Sequence, residues 1–471
     1  MDYGWVSILP PIIAIVLAIW TRQVYISLFL GIWLGWSILS AWDPIDGLAR
    51  AIHACIDVFN DADNTRVIMF SLLVGALITL MQRSGGVQGF IRLVLEKKLV
   101  RSRRAANLFA TVVGTLIFVE SNITCLITGA VSRPIFDRLK ISRERLAYVC
   151  DSTSAPVCIL IPLNAWGAYV MGLLSSEGIE SEATLFLAAW PFDFYAFFAY
   201  FLVVLTALLG KDIGPMKKAE TRAMTEGKLL ADGAVPMMSE EVTLLEPKEG
   251  IPLRSRNMLI PVGVMVVMMP IGLAITGQGD LTAGSGSTAV LWGVLAAVVV
   301  GAIMYRVQNL LTVTELMNLI LKGMGGLVPL ATVMMLAFAI GDMTRALGTG
   351  VFVASVASEA LNPVFIAAIV FLSTAFVAFS TGTSWGTWAV MMPIAIPTAL
   401  AMDVSLPLTV GAVLSGGIFG DHTSPISDTT LVSSMSAASD HIDHVKTQLP
   451  YALIAGMISL ALYLIFGMVL A

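Results

Sequence analysis

Eight stretches of this chain (5–20, 24–42, 66–82, 186–209, 257–277, 286–304, 326–343 and 449–470) run almost free of charge. Each approaches the roughly 20 residues a helix needs to cross a bilayer. Four more, about 105–132, 146–175, 363–401 and 404–436, are longer and interrupted by polar residues. Across all 471 residues only 13% are charged and 57% are hydrophobic, against about 25% charged in a soluble domain. The expected fold class is an all-α polytopic membrane protein. The first residues, MDYGWVSILPP, lack a basic leader and a cleavage site and are expected to be a retained span. The four cysteines show no paired spacing and read as small buried hydrophobes.

Lys and Arg placement orients the spans. With the N-terminus outside, and with 105–132 and 363–401 each entering and leaving on one side, all but three (Arg50, Arg66, Arg345) of the 27 basic residues fall inside. Segment 105–132 is flanked by RSRR and by SRPIFDRLKISRER. A simple crossing would place one of these basic flanks outside, so a re-entrant hairpin is the better reading. Both termini are then outside, and the polar stretch 210–256 is a cytoplasmic linker between a first repeat (1–209) and a second (257–471).

The halves share wording. ESNIT (Glu120 to Thr124) in the first hairpin corresponds to STGTS (Ser380 to Ser384) in the second, and DSTSAP (Asp151 to Pro156) corresponds to DHTSPI (Asp421 to Ile426). Each half is expected to cross five times and to carry one re-entrant hairpin. An odd number inverts the second repeat relative to the first and places broken helices at mid-membrane, the plan of secondary transporters.

Irregular backbone at membrane depth survives only where protein, water or an ion satisfies it. Hydroxyl, amide and carbonyl oxygens are the ligands a hard cation prefers. Ser121, Asn122, Thr124, Asp151, Thr153, Ser380, Thr381, Thr383, Asp421 and Thr423 are therefore the candidate Na⁺ ligands. Glu120, Asp151, Asp421, His422 and Asp428 are the candidate proton-coupling groups. A carboxylate at the membrane centre costs roughly 3 kcal/mol or more, and the interrupted segments supply no Lys or Arg to neutralise it. A proton or a bound cation does so instead, and the two compete.

Other roles exist for each group. Asp151 and Asp421 also fit the Asp-Ser/Thr-Pro pattern of a helix N-cap. Glu120 is either a proton carrier or a hydrogen-bonded structural acid, Asp428 either ligating or structural. His422 either tunes Asp421 or packs by hydrogen bonding. Asp342 sits near a span end, where interfacial solvation suffices. DHIDH (Asp440 to His444) has a metal-like spacing but reads as a solvated or pH-sensitive cytoplasmic loop. Trp385 and Trp388 flank the second hairpin tip, as cavity lining or as packing. No Gly-rich phosphate loop or nucleophile–base order recommends an enzyme.

The blocks RLAYVCDSTSAPVCILIPLNAWGAY (from Arg145) and SGGIFGDHTSPISDTTLVSSMSAASDHIDHVKTQLPYAL (from Ser415) resemble the signature blocks of the NhaC family of Na⁺/H⁺ antiporters. STGTSWGTWAVMMPIAIP (from Ser380) is similar to that family's second hairpin. Thr423 departs from the family pattern, in which relatives often carry Cys. The resemblance implies the broader ion-transporter superfamily, in which a homodimer is plausible. It also implies Na⁺ (or Li⁺)/H⁺ exchange in an inner (plasma) membrane, in contact with lipid, with no cofactor and no nucleic acid. Because relatives exchange malate and lactate or carry amino acids, Na⁺- or H⁺-coupled transport of a small organic solute is the alternative.

Overall fold

A backbone surrounded by lipid satisfies its amides most simply within its own helix, and every multi-residue element among the described residues is helical. The structure is a computed structural model. It describes residues 3–21, 24–96, 100–118, 120–162, 164–179, 181–236, 246–279, 284–349, 352–353, 355–356 and 362–470. Among the described residues six helices are long and apolar enough to span a membrane, or up to eight if each of two bent pairs is one span. The protein is a multi-pass membrane protein.

The chain opens with α1 (Leu9–Thr21) and α2 (Val24–Leu39), then the amphipathic α3 (Pro44–Asp57), the long α4 (Ala62–Arg83) and α5 (Gly86–Glu96). The first hairpin is α6 (Arg103–Leu116) and α7 (Ser121–Arg138). Its first arm has 14 residues and reaches only about 21 Å at 1.5 Å per residue, short of a hydrocarbon core of about 30 Å. The next span is broken twice, into α8 (Arg143–Ser152), α9 (Ala155–Leu160) and α10 (Ala165–Ser176). Then follow α11 (Glu182–Ala189), α12 (Phe194–Leu209) and α13 (Gly214–Thr225).

The second half has the pair α14 (Arg256–Thr276) and α15 (Gly286–Val307), then α16 (Val313–Gly326) and α17 (Val328–Leu347). Its hairpin is α18 (Ile366–Thr381) and α19 (Ser384–Ala401). Its broken helix is α20 (Leu406–Thr423) and α21 (Asp428–Ala437), and α22 (His441–Leu470) closes the chain.

Packing interleaves the halves. The pair α1–α2 lies against α17, and the pair α14–α15 lies against α4. Helix α21 of the second half packs on α7 and α8 of the first. Helices α4 and α16 meet backbone to backbone: a Cβ added at Gly75 would sit 2.2 Å from the Gly323 carbonyl oxygen. Thr79 Oγ1 donates to the Leu319 carbonyl at 2.9 Å beside this crossing. Small residues permit such approach where lipid offers no hydrophobic drive between helices.

The DHIDH stretch departs from its expected solvated loop. His441 opens α22, and His444 is fully buried. The reason is register: His444 and Gln448 are one helical turn apart on the face of α22 that packs against α8 and α20.

Gly75→Ala forces α4 and α16 apart and should lower the melting temperature of the detergent-solubilised protein by an amount equivalent to about 1–3 kcal/mol. Gly263→Ala, at a position where the added Cβ meets nothing within 4 Å, should leave melting unchanged or slightly raised.

Candidate functional site

Each interruption is written in local chemistry. Helix α8 stops at Thr153–Ser154, where Pro156 follows and has no N–H to continue the ladder. Helix α20 stops at Ser424, with Pro425 next. Asp151 and Asp421 both lie before these breaks, in the last turn of α8 and of α20. Neither is an N-cap: Ser154 occupies that position for α9, and Ser427 caps α21 through Thr430 N–H. A carboxylate in the last turn faces the negative end of the helix dipole, an environment that favours a cation.

The two hairpin tips open onto one cavity of about 280 Å³. Glu120, Ser121 and Asn122 line it from the first hairpin, and Thr383 and Trp385 from the second. Asp421 lines the same space, and among the described residues its lining holds neither Lys nor Arg. Glu120 Oε1 accepts from the Asn122 N–H at 3.0 Å and from Ser121 Oγ at 3.2 Å, capping α7. Asn122 Oδ1 is buried with no hydrogen-bond donor among the described residues. Ser384 Oγ donates to Asp421 Oδ2 at 3.0 Å.

Asp151 is fully buried and is not among the cavity-lining residues. Its Oδ2 accepts from Gln448 Nε2 at 2.6 Å and from Thr430 Oγ1 at 3.1 Å, while Oδ1 has no donor among the described residues. Two imidazoles stand near it, His422 Nε2 at 3.8 Å and His444 Nε2 at 4.0 Å from Oδ2. The His422 ring is held at both nitrogens, by Tyr195 OH at 2.7 Å and Ser152 Oγ at 3.2 Å. Gln448 also donates to the His422 carbonyl at 2.7 Å, so one amide ties Asp151 to the turn that carries Asp421.

The remaining candidate hydroxyls spend their protons locally. Thr124 Oγ1 donates to the Ile117 and Glu120 carbonyls and closes the first tip. Thr153 donates to the Val149 carbonyl, Thr381 to Val377 and Thr423 to Phe419. Their lone pairs remain, but none of these four, nor Ser380 or His422, is among the cavity-lining residues. The side chain of Asp428 lies outside the described residues.

Backbone ties hold the tips to the breaks. Asn164 Nδ2 donates to the Phe118 carbonyl at 2.8 Å, and Ser424 Oγ to the Phe379 carbonyl at 2.7 Å. Gly382 (φ +70°) turns the second tip, where a Cβ would sit 2.7 Å from the Ile426 oxygen. Trp388 is fully buried and donates to the Val413 carbonyl. Asp342 pairs with Arg345 at 2.5 Å. Among the described residues no group of three or more His, Cys, Asp or Glu side chains is arranged to hold a metal, DHIDH included.

Sequence reasoning missed Ser384, Gln448, His444, Tyr195, Ser152 and Asn164. It also missed Asp193, a buried acid whose Oδ1 accepts from Ser415 Oγ at 2.7 Å. A signal existed for two of these. Asp440, His444 and Gln448 recur every fourth residue in a segment that becomes apolar at Leu449, the pattern of one helical face.

A family model described as the Na⁺/H⁺ antiporter family matches residues 157–468. The chain belongs to that family. It is 31% identical to an uncharacterized protein of Haemophilus influenzae over 98% of this chain and 90% of the relative. It is 30% identical to the arginine/ornithine antiporter ArcD of Halobacterium salinarum over 45% of this chain and 41% of that one. The YdaH transporter of Alcanivorax borkumensis shares the fold, with a TM-score of 0.57 at 14% identity, covering 89% of each chain. Membership makes the protein a secondary transporter, not an enzyme.

Gln448→Leu removes the donor to both Asp151 and the His422 carbonyl while roughly keeping the side-chain volume. Leaving buried acceptors unmatched costs about 1–3 kcal/mol, so the variant should melt measurably lower. Lys446→Leu, on the exposed side of the same helix, should not.

Proposed function

We propose that the protein exchanges Na⁺ for H⁺ across the bacterial-type inner membrane, with the two ions competing for intramembrane carboxylates. The observation that carries this reading is the cavity shared by both hairpin tips and Asp421, without a basic residue among its described lining, backed by the buried and under-donated Asp151. Acceptors without donors are what a dehydrated cation or a proton satisfies. In the proposed cycle, protonation of Asp421 and Asp151 weakens their hold on Na⁺, and Na⁺ binding expels the protons. The membrane potential contributes about 2.3 kcal/mol per elementary charge per 100 mV.

Access alternates as the two hairpins and broken helices shift within an inverted-repeat frame, with residues 1–209 and 257–471 as the repeats and 210–256 as a cytoplasmic linker. The reciprocal packing of α1–α2 on α17 and of α14–α15 on α4 supports that frame. Of the candidate ligands, Ser121, Asn122, Thr383 and Asp421 face the cavity. Asp151 and His422 are assigned to proton coupling behind it, with Glu120 at its rim.

One observation favours a second reading, coupled exchange of a small organic solute. On the same measure of volume a water needs about 10–15 Å³, so a cavity of about 280 Å³ exceeds what a bare ion requires. Trp166 and Trp385 supply apolar walls. A cavity whose described lining holds two carboxylates and no Lys or Arg suits an amine-bearing solute, and the ArcD relative is named for two of them.

Proteoliposomes loaded with a pH-sensitive dye distinguish the readings. Proton flux driven by Na⁺ alone, scanned over Na⁺, Li⁺ and K⁺, supports ion exchange, whereas flux that needs a metabolite supports the second reading. Asp151→Asn and Asp421→Asn should each reduce flux to background, and the apparent KM for Na⁺ of the unaltered protein should rise as pH falls. Normal flux from both variants overturns the assignment.

A further inference from the structure

A second large cavity, about 590 Å³, lies at the basic ends of α6 and α12. Arg103, Arg104, Arg145, Lys211 and Lys217 line it, against two acids, Asp212 and Glu220. Both acids are already committed. Asp212 pairs with the buried Arg145 at 2.8 Å and accepts from Tyr451 OH at 2.9 Å, and Glu220 pairs with Arg103. Arg104, Lys211 and Lys217 have no ion pair among the described residues. The cleft therefore carries an uncompensated positive charge around a rigid, hydrogen-bonded floor.

Its surroundings specify the anion. On α6, Arg104 is followed at helical spacing by Val112 and Leu116, 54% and 58% exposed. On α12, the exposed Phe201 and Leu208 lead to Lys211. The two helices pack together, with Thr115 Oγ1 and Tyr200 OH 2.9 Å apart. An apolar seam thus runs directly into a basic cleft, on the side proposed as cytoplasmic. A soluble anion would use the charges and leave the seam bare. A lipid uses both.

We propose that this cleft binds the phosphate headgroup of an anionic phospholipid, with an acyl chain along the α6–α12 seam. The occupant would rest on the first hairpin, through Asn107 and Arg104, and on α8, through Arg145, whose Nε donates to Asn107 Oδ1 at 2.7 Å. The proposal does not depend on which substrate the transporter carries.

Native mass spectrometry of the delipidated full-length protein in detergent tests it, with dioleoyl phosphatidylglycerol and dioleoyl phosphatidylcholine as probes. Phosphatidylglycerol should give a saturable adduct that phosphatidylcholine does not. The combined variant Arg104→Ala, Lys211→Ala, Lys217→Ala should bind it at least about tenfold more weakly, and Lys217→Glu alone should weaken it several-fold. Removing three cations elsewhere on the basic side, Arg256→Ala, Arg306→Ala and Lys322→Ala, should leave it unchanged. Equal binding by the first variant, equal loss in the second, or displacement of the lipid by millimolar inorganic phosphate overturns the proposal.

Discussion

Two carboxylates at the negative ends of interrupted helices, inside a low-dielectric interior, set the terms for the rest of this protein. A helix end exposes carbonyl oxygens, and an acid in its last turn adds like charge. Asp151 and Asp421 are both so placed. Around them the chain supplies hydroxyls, one amide and two imidazoles. Three guanidinium groups are held elsewhere: Arg145 with Asp212, Arg103 with Glu220 and Arg222 with Glu144. Had one of those guanidinium groups turned inward, it would have neutralised these acids itself.

The two acids are not equivalent. Asp421 lines the cavity shared with both tips, whereas Asp151 sits behind it in a network of Gln448, Thr430, His422 and His444. Gln448 joins the two environments by donating both to Asp151 and to the backbone of His422. Such a network couples the two positions because displacement of one partner leaves the others unsatisfied in a medium that penalises it. Asn164 and Ser424 extend the same rigidity to the hairpins through their carbonyl contacts.

How much of this was legible depended on range. The breaks were readable because they are written locally, in Gly, Pro and hydroxyl residues interrupting apolar runs. The acids stood out because charge is rare in such segments. Ser384 and Gln448 did not stand out, since nothing in their neighbourhood distinguishes a ligand of a carboxylate 37 or 297 residues away. His444 was misread for a related reason. Surrounded by Asp440, Asp443 and Lys446 in sequence, it reads as solvated, yet a helix presents only one face to its neighbours, and that face is buried.

By itself the sequence determined that this chain crosses a membrane as helices, where those helices are interrupted, and which acids lie in segments free of Lys and Arg. These are properties of hydropathy and local backbone chemistry. Only the tertiary structure decided that both hairpin tips meet at one cavity, that Asp421 lines it while Asp151 stands behind, and that α22 delivers a glutamine and a histidine to the buried acid. Those outcomes depend on which helix faces pack together, and contacts between residues hundreds of positions apart leave no local trace.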